Sequence, residues 1–417
     1  MNLDALESRT PAERAAALAT ALPAQVRAAQ AVPAMAERLF GVEAEEITTR
    51  AALARLPVTR KHELLQRQQA QRGSDAFGGF SALGWATQRA LRPARRVYQS
   101  PGPIYEPEGH GSDYWRCARA LSAAGFVAGD LVHNCFSYHL TPGAWIMESG
   151  AHALGCTVFP GGVGNTELQL QAMDHLRPDA YTGTPSFLRI LLEKAAEAGL
   201  TLPSLRKALV SGEAFPPSLR DWLHERGVTA YQAYATADVG MVAFETSARE
   251  GLVVDEGVLV EIVRPGTGDV LPDGEVGEVV VTVLNPDCPW MRFGTGDLSA
   301  VLPGCCPTGR THTRIKGWMG RADQTAKVRG MFVHPSQVAE VVRRHPELVK
   351  ARLVVAGEMA NDTMTLHAET TSTDPALAAA VAHSVREVTK LRADVLLASP
   401  GALKNDGKVI EDGRSYA

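Results

Sequence analysis

The chain of 417 residues lacks several features that mark particular classes of protein. No apolar run approaches the length that spans a bilayer, and the opening residues MNLDALESRT carry acidic side chains and no apolar stretch of signal-peptide type. An excess of one charge is also absent, because 42 Lys and Arg balance 46 Asp and Glu to a net charge of −4. We therefore expect neither nucleic acid nor a membrane as a partner.

Cysteine is sparse, with six residues and no CxxC pair. This usage is typical of a reducing compartment, so we predict a cytoplasmic protein. Hydrophobic residues make up 45% of the chain, as in ordinary globular proteins, and the length exceeds that of one common core. Two or more domains are therefore expected.

From residue 112 onward, strand patterns such as DLVHNCF and LRKALVSG alternate with helical patterns such as AWIMESGAHALG. This alternation predicts an α/β fold with a largely parallel sheet, whose ligands bind beyond the strand ends. Residues 1–72 predict helices, the first capped by Thr10 with Pro11 and Glu13 behind it. Residues 73–98 and the segment QSPGPIYEPEGHG (99–111), with its three prolines and three glycines, predict loops.

The last third of the chain changes character. Residues 247–320 alternate apolar and polar side chains between Pro/Gly turns, which predicts an antiparallel sheet or a small barrel. Residues beyond 321 predict a small α+β unit of four strands and two helices. We expect a large domain over 1–321 and a small mobile domain over 322–417.

Four segments could carry chemistry: LVSGEAF, AYQAYATADVG, FGTGDL and GWMGRADQTAKVRG. Each alone has an ordinary interpretation, as a turn or as a packed tyrosine at a strand end. Their order, together with HPSQ and NDGKVIED further on, resembles the adenylate-forming superfamily and within it the phenylacetate–coenzyme A ligase family. The resemblance covers roughly residues 45–417.

The resemblance implies an adenylate-forming fold and two half-reactions in one site. A carboxylate, with an aromatic acid favoured, attacks the α-phosphate of ATP and gives an acyl-adenylate, from which a thiol, in this family that of coenzyme A, displaces AMP. ATP, Mg²⁺ and coenzyme A are the implied cofactors and a small carboxylic acid the implied partner. A homodimer is kept as one open assembly state.

The same resemblance assigns roles to residues. Lys408 would neutralise the charge that accumulates at the α-phosphate, Asp297 would hold the ribose hydroxyls, and Tyr234 would stack on adenine. The small domain would rotate at the hinge between half-reactions. The other implied residues are Ser211, Gly212, Glu213, Ala235, Thr236 and Arg321 around the nucleotide, Asp323 at the hinge, and Tyr138 and His139 beside the acid.

The chain departs from the family pattern where phosphates bind. The family has a loop of the type SSGTTGKP where this chain has SPGPIYEPEGHG, with Glu106 and Glu108 and no lysine. Such a loop cannot grip pyrophosphate as the family's does, unless Mg²⁺ intervenes. In the tyrosine motif the family's glutamate is Asp238, a candidate Mg²⁺ ligand with shorter reach.

Two interpretations stay open: an active ligase with a rebuilt phosphate site, which Lys408 favours, or a non-adenylating binding or accessory protein of the same fold. Transfer to an amine or a carrier protein is a third. Zinc is not expected, because the relatives' PCPCGRTH segment reads GCCPTGRTH, and Cys288, Cys305, Cys306 and His312 lack a zinc-ribbon spacing. A dinucleotide site at GGVG is rejected, since Glu167 replaces its third glycine.

Overall fold

A computed structural model describes residues 3–87, 91–322, 324–329, 331–357, 362–404 and 408–414. The chain divides into a large unit, Met1–Met319, and a small unit, Gly320–Ala417. The helices are α1 Pro11–Gln30, α2 Pro33–Arg38, α3 Arg50–Leu53, α4 Lys61–Gln71, α5 Ala118–Ala123, α6 Gly143–Leu154, α7 Thr166–Leu176, α8 Pro185–Glu197, α9 Pro217–Glu225, α10 Pro335–Arg344 and α11 Leu377–Thr389.

Most strands belong to three larger sheets. They are β1 Thr59–Arg60, β2 Leu83–Gly84, β3 Arg92–Pro93, β4 Arg96–Ser100, β5 Ile104–Glu108, β6 Leu131–Asn134, β7 Thr157–Pro160, β8 Ala180–Gly183, β9 Lys207–Val210, β10 Thr229–Thr236, β11 Gly240–Glu245, β12 Leu252–Val254, β13 Val258–Val263, β14 Gly277–Val283, β15 Phe293–Ser299, β16 Val301–Leu302, β17 Arg314–Ile315, β18 Ala326–Val328, β19 Met331–Val333, β20 Leu348–Ala356, β21 Thr363–Thr370, β22 Asp394–Ala398 and β23 Ile410–Asp412. Helices among the described residues do not reach the length and apolar character needed to cross a membrane.

The large unit is built on a nine-stranded sheet of order β16-β17-β12-β11-β10-β9-β8-β6-β7. Strands β7, β6, β8, β9 and β10 run parallel, which confirms the α/β prediction. The chain leaves β6 for β7 on one side and returns to β8 on the other, so the strand order reverses at β6. Sheets of this kind bind ligands in the crevice that such a reversal opens beyond the carboxyl ends of the strands.

Helix α8 illustrates how the sequence produces these layers. Thr184 caps it by accepting a hydrogen bond from the N–H of Phe187, and Pro185 occupies the first helical position, where no N–H is needed. Its buried side chains Leu188, Leu191 and Ala195 recur at helical spacing and face the core. The predicted capping box of Thr10 and Glu13 on α1 is likewise confirmed.

A four-stranded sheet of order β1-β15-β14-β13 lies in the same unit. Strands β13, β14 and β15 pair antiparallel, whereas β1, from the N-terminal helical region, adds to β15 in parallel. Strands β12, β16 and β17 of the β-rich segment join the nine-stranded sheet instead. The segment therefore contributes to two sheets and forms no barrel of its own among the described residues.

The prediction of a loop at residues 99–111 is wrong, because β4 and β5 form an antiparallel hairpin there. Pro101 and Pro103 fall in the connection between the strands, and Pro107 lies inside β5 opposite Val97. A two-stranded ribbon leaves one edge of each strand unpaired, so a proline can replace a residue whose N–H has no ladder partner.

The expectation of a surface loop over 73–98 is also wrong in its middle part. Phe77, Phe80 and Leu83 are each 2–3% exposed, and β2 pairs with β3. The apolar residues of this segment are few and irregularly spaced, so the sequence showed no periodicity that would have predicted their burial.

The small unit contains a four-stranded sheet of order β22-β21-β20-β23 and the hairpin β18–β19. Helices α10 and α11 supply Val338, Val341, Val381 and Val385 to a core that includes Leu353 and Leu366 of the sheet. Strand β23 pairs in parallel with the middle of β20. This pairing places the residues just before Ile410 next to β20.

A buried guanidinium joins the N-terminal helices to the β-rich sheet of the large unit. Arg292 is 1% exposed, and its Nε donates to Glu261 Oε2 at 2.9 Å. Its Nη1 donates to the carbonyl oxygens of Ala54 at 2.7 Å and Leu56 at 2.6 Å. A buried cation is tolerated only with such partners. These contacts therefore fix the position of residues 54–56, which precede β1.

We expect Arg292→Met to lower the free energy of unfolding by roughly 3–5 kcal/mol, because it leaves Glu261 and two carbonyls buried without a donor. Urea unfolding of the full chain measures this loss in the large unit's transition. The control is Arg27→Met, which removes an exposed pair with Glu45 and should cost less than about 1 kcal/mol. Equal losses in the two variants would contradict the anchoring role of Arg292.

Candidate active site

The turn after β9 is held at both ends. Ser211 Oγ donates to the Ala233 carbonyl on β10 at 2.7 Å, and Glu213 Oε1 accepts from the N–H of Ser186, at the start of α8, at 2.7 Å. Between them Gly212 has φ of 85°, a left-handed conformation that glycine adopts without strain. The predicted residues Ser211, Gly212 and Glu213 thus form a rigid turn beyond the carboxyl end of the parallel sheet.

Asp297 and Tyr234 meet although they lie on different sheets. The hydroxyl of Tyr234, on β10, donates to Asp297 Oδ2 at 2.7 Å, and Trp318 Nε1 donates to Asp297 Oδ1 at 3.1 Å. Asp297 is 8% exposed. These two donors orient the carboxylate.

The turn between β10 and β11 carries Asp238. Ala235 and Thr236 complete β10 as half-buried residues, and Thr236 Oγ1 accepts from the Val239 N–H at 3.3 Å. Trp290 Nε1 donates to the Asp238 carbonyl at 3.0 Å. These contacts fix the turn and direct the Asp238 side chain inward, where it is 5% exposed.

Lys61, the first residue of α4, is the basic partner of this turn. Its Nζ donates to Asp238 Oδ2 at 2.8 Å. The other oxygen, Asp238 Oδ1, is buried and accepts no hydrogen bond from the described residues. The turn that carries Asp238 contains no lysine of its own, so its ammonium partner comes from α4, in the N-terminal helical region.

Glu106 on β5 points into the same region. Ser100 donates to its Oε1, and its buried Oε2 has no hydrogen-bond partner among the described residues. Glu106 and Asp238 both line a cavity of about 20 Å³, room for about one water molecule. Burial, and next the charge of Asp238, raise the pKa of Glu106 to about 8, against a smaller lowering by Lys61.

The second hairpin glutamate has different partners. Glu108 is 1% exposed and accepts hydrogen bonds from the Tyr98 hydroxyl and, at 3.0 Å, from Arg96 Nη1. Burial, followed by the hydrogen bond to Glu108, raises the pKa of Tyr98. Glu108 is therefore satisfied within the hairpin, whereas Glu106 faces Asp238 and Lys61.

The predicted acid-pocket residues lie after β6, at the reversal of strand order. Tyr138 accepts from Asn134 Nδ2 at 2.9 Å and donates to Glu148 Oε2 at 2.6 Å. Its ring meets Trp145 edge-on, with ring centroids 5.2 Å apart. Burial raises the pKa of the Tyr138 hydroxyl, which keeps it a hydrogen-bond donor. His139, the next residue, is exposed.

The remaining predicted residues belong to the small unit or lie outside the described chain. Lys408 is exposed and immediately precedes Val409 and β23. The Arg321 guanidinium lies 5.8 Å from the centre of the Phe332 ring. Asp323, the predicted hinge, is outside the described residues.

Three of the four side chains weighed as zinc ligands have separate hydrogen-bond partners, and the fourth, Cys305, is exposed. The Nδ1–H of His312 donates to the Val254 carbonyl at 2.8 Å, and Cys306 exchanges hydrogen bonds with Thr246 and Thr308. Cys288 lies 3.6 Å from the Ser81 hydroxyl. Across the described ranges, no three His, Cys, Asp or Glu side chains converge on a metal position.

Sequence reasoning missed Lys61 and Trp318. Lys61 lies 177 residues before Asp238, and Trp318 lies 21 residues after Asp297. Trp318 stands in the segment GWMGRADQTAKVRG, but nothing local around either residue signals its partner. Only the folded sheets bring these donors to the carboxylates.

The Glu106 environment generates a pH prediction. A raised pKa means that folding favours the protonated acid, so the stability of the native state falls as pH rises from about 4.5 to about 8. Without divalent ions, we expect the free energy of unfolding of Glu106→Gln, relative to that of the wild type, to increase by roughly 1–3 kcal/mol between pH 5 and pH 9. Urea unfolding at both pH values measures the difference.

The matched control is Glu225→Gln, which alters a glutamate whose side chain is 74% exposed and should leave the pH profile unchanged. Parallel profiles for Glu106→Gln and the wild type would show instead that Glu106 ionises as an exposed glutamate does.

Solved structures with this architecture were found among ligases. Over 99% of this chain and 92% of the other, a 2-hydroxyisobutyryl-CoA ligase captured with 2-HIB-AMP and CoA superimposes with a TM-score of 0.81 at 24% identity. An amide bond synthetase, McbA from Marinactinospora thermotolerans, covers 78% of this chain and 70% of its own with a TM-score of 0.57 at 18% identity. Both likenesses concern the fold, and the adenylate-forming architecture predicted from the motifs is confirmed.

Sequence comparison is more specific. Residues 113–283 match the family described as AMP-binding enzyme. The phenylacetate-coenzyme A ligase of Aromatoleum evansii is 31% identical over 345 residues, 79% of this chain and 74% of its own. The enzyme of the same name from Thermus thermophilus is 32% identical over 312 residues, 71% and 67% of the two chains. With these identities over most of both sequences, the chain belongs to the phenylacetate–coenzyme A ligase family.

Proposed function

We propose that this protein is an AMP-forming acid–coenzyme A ligase. In the first half-reaction a carboxylate oxygen attacks the α-phosphorus of ATP, and pyrophosphate leaves with the electrons of the broken P–O bond. In the second, the thiolate of coenzyme A attacks the acyl carbon, and AMP leaves. Membership of the family over roughly three quarters of the chain is the observation that carries this conclusion.

The nucleotide end of the site supports the proposal. Asp297 would accept the ribose hydroxyls on a carboxylate that Tyr234 and Trp318 orient. Tyr234 is held through its hydroxyl and would offer its ring to adenine. The turn of Ser211, Gly212 and Glu213, with Ala235 and Thr236 on the neighbouring strand, would contribute backbone groups to the same pocket.

Lys408 would supply the positive charge that adenylation needs. Negative charge accumulates on the α-phosphate as the carboxylate approaches, and an ammonium beside it lowers the barrier. Arg321 would contribute to the same nucleotide, and Asp323 would serve as the hinge between half-reactions. These roles rest on the family resemblance of the NDGK and GRADQ segments.

The acid is proposed to be aromatic. Tyr138 and Trp145 form an edge-to-face pair at the reversal of strand order, where an aryl ring could continue the packing. The relatives are phenylacetate-coenzyme A ligases, which supports the same class of acid. His139, being exposed, would contribute at most to the entrance of this pocket.

Mg²⁺ fits the phosphate end. Asp238 and Glu106 line one cavity, and one buried oxygen of each, Asp238 Oδ1 and Glu106 Oε2, has no hydrogen-bond partner among the described residues. Mg²⁺ is commonly held by one or two carboxylates together with substrate phosphates. When bound, Mg²⁺ would offset the repulsion between these carboxylates and the triphosphate. Lys61 contacts the other oxygen of this aspartate, Asp238 Oδ2, at 2.8 Å.

The buried carboxylates also favour a second candidate, a protein of the same fold that binds an acyl-adenylate or thioester without adenylating. Like charge at the phosphate end opposes ATP unless a cation neutralises it. An amine or carrier protein as acceptor, a homodimeric state and a cytoplasmic location are kept as predictions; all six cysteines are free thiols.

One prediction of the proposed function concerns Lys408. Wild-type enzyme should exchange labelled pyrophosphate into ATP with at least one acid from a panel of aryl and small aliphatic acids. Lys408→Ala should slow that exchange at least ~100-fold, because the charge on the α-phosphate loses its neutralising group. Thioester formation from the supplied acyl-adenylate should change little, because no phosphate is attacked in that step.

The control for this prediction is Lys404→Ala, four residues away in the same segment and also exposed, which should leave exchange unchanged. Absence of exchange with every acid, together with calorimetric binding of AMP or a thioester, would favour the accessory protein instead.

Another prediction concerns the carboxyl groups of Asp238 and Glu106. Asp238→Asn should raise the Mg²⁺ concentration for half-maximal exchange by about tenfold, and Glu106→Gln should raise it by a smaller factor, because each removes one carboxyl ligand. Glu108→Gln is the control, since Glu108 is engaged by Tyr98 and Arg96. A Mg²⁺ requirement unaltered in Glu106→Gln would remove Glu106 from the metal site.

A further inference from the structure

The backbone on the C-terminal side of Lys408 is anchored by the sheet. The N–H of Leu353 donates to the Val409 carbonyl at 2.9 Å, and the N–H of Val409 donates to Gln324 Oε1 at 2.8 Å. Strand β23 then pairs with β20 from Ile410 onward. Lys408 therefore lies two residues before β23, next to the anchored Val409.

On the other side of Lys408, Arg352 of β20 reaches across the backbone. Its Nε donates to the Lys408 carbonyl at 3.2 Å and its Nη2 to the Lys404 carbonyl at 3.0 Å. Its Nη1 donates to Glu411 Oε2 at 3.0 Å. One rigid guanidinium fork thus contacts the backbone at both Lys404 and Lys408 and a side chain on β23.

Two further charged side chains of the same sheet hold the residues that precede Lys404. Lys350 Nζ donates to the Lys404 carbonyl at 2.8 Å and the Leu403 carbonyl at 3.4 Å. Glu369 Oε1, on β21, accepts from the N–H of Leu403 at 2.7 Å. The backbone N–H groups of Leu403 and Gly401 hold the pKa of Glu369 below its usual range, which keeps this acceptor ionised.

These contacts constrain one another. Arg352 is 5% exposed, and a guanidinium at that depth needs acceptors in fixed positions. If the backbone at Lys404 and Lys408 moved away, the buried cation would lose two of its partners. The cost of that loss holds the backbone in place, although the Lys408 side chain itself is exposed.

We propose that Arg352 is the positioning residue for Lys408: by holding the carbonyls of Lys404 and Lys408 it fixes the backbone from which the Lys408 ammonium extends. The proposal rests on the adenylation role of Lys408 given above. A long, exposed lysine samples many rotamers, and a fixed backbone removes one source of misplacement at the reacting phosphate. A lysine at position 352 could not reproduce three forked contacts.

The test separates the two half-reactions, using the acid that gives the fastest pyrophosphate exchange with wild-type enzyme. Arg352→Gln should slow the exchange about 10- to 100-fold. Formation of the coenzyme A thioester from supplied acyl-adenylate should stay within about twofold. Lys350→Gln, which alters a less buried contact to the same backbone, should slow exchange by a smaller factor and guards against misfolding of the first variant.

A double variant distinguishes positioning from an unrelated effect. Since Arg352 acts through Lys408, Arg352→Gln combined with Lys408→Ala should be no slower in exchange than Lys408→Ala alone. Multiplying losses would overturn the proposal, as would an equal slowing of both half-reactions by Arg352→Gln. Arg343→Gln, an exposed arginine on α10, is the charge-matched control and should leave both rates unchanged.

A readout independent of catalysis is hydrogen exchange of the peptide that contains Val409. Arg352→Gln should raise its amide exchange at least about tenfold, while peptides of α11 stay unchanged. Unaltered exchange in this peptide would refute the backbone role even if Lys408 proves essential. Conversely, a wild-type enzyme without pyrophosphate exchange would refute the proposed function alone, since the amide measurement does not depend on it.

Discussion

The rest of this site depends on one constraint: negative charge must be neutralised at the turn between β10 and β11, where Asp238 lies. Asp238 and Glu106 face one small cavity, and Lys61 contacts Asp238 from a helix far away in sequence. Burial, and next the negative charge of Asp238, raise the pKa of Glu106, against a smaller lowering by Lys61. Under the proposed function a triphosphate would add negative charge here, which Mg²⁺ and the Lys61 ammonium would offset.

Asp297 shows how the fold orients an acceptor. It is buried and accepts hydrogen bonds from Tyr234, on a different sheet, and from Trp318, at the end of the large unit. Under the proposed function this oriented carboxylate would hold the ribose, whereas the charge of Asp238 and Glu106 would need a cation before ATP could bind.

A comparable division appears in the small unit. The exposed Lys408 is free of burial costs, and its backbone is held by the less exposed Arg352, Lys350 and Glu369. Under the proposed function, this separation would leave the Lys408 side chain accessible to substrate while its backbone stays fixed. The same logic places Lys61 at the surface end of its ion pair and Asp238 at the buried end, with side chains 36% and 2% exposed.

Motif order and local chemistry were sufficient for the family, the α/β alternation, the cap of α1, the turn after β9 that carries Ser211, and the placement of Tyr234 near the end of β10, because these depend on neighbouring residues or on short repeats. The hairpin at residues 96–108 was misjudged, because the unpaired edges that tolerate Pro107 are a property of a two-stranded ribbon and not of the letters. The contacts of Asp238 with Lys61, of Asp297 with Trp318 and of Arg352 with Lys408 were decided only by tertiary structure. Each joins residues from separate elements, and burial, which alone makes such charges need partners, exists only once the chain has folded.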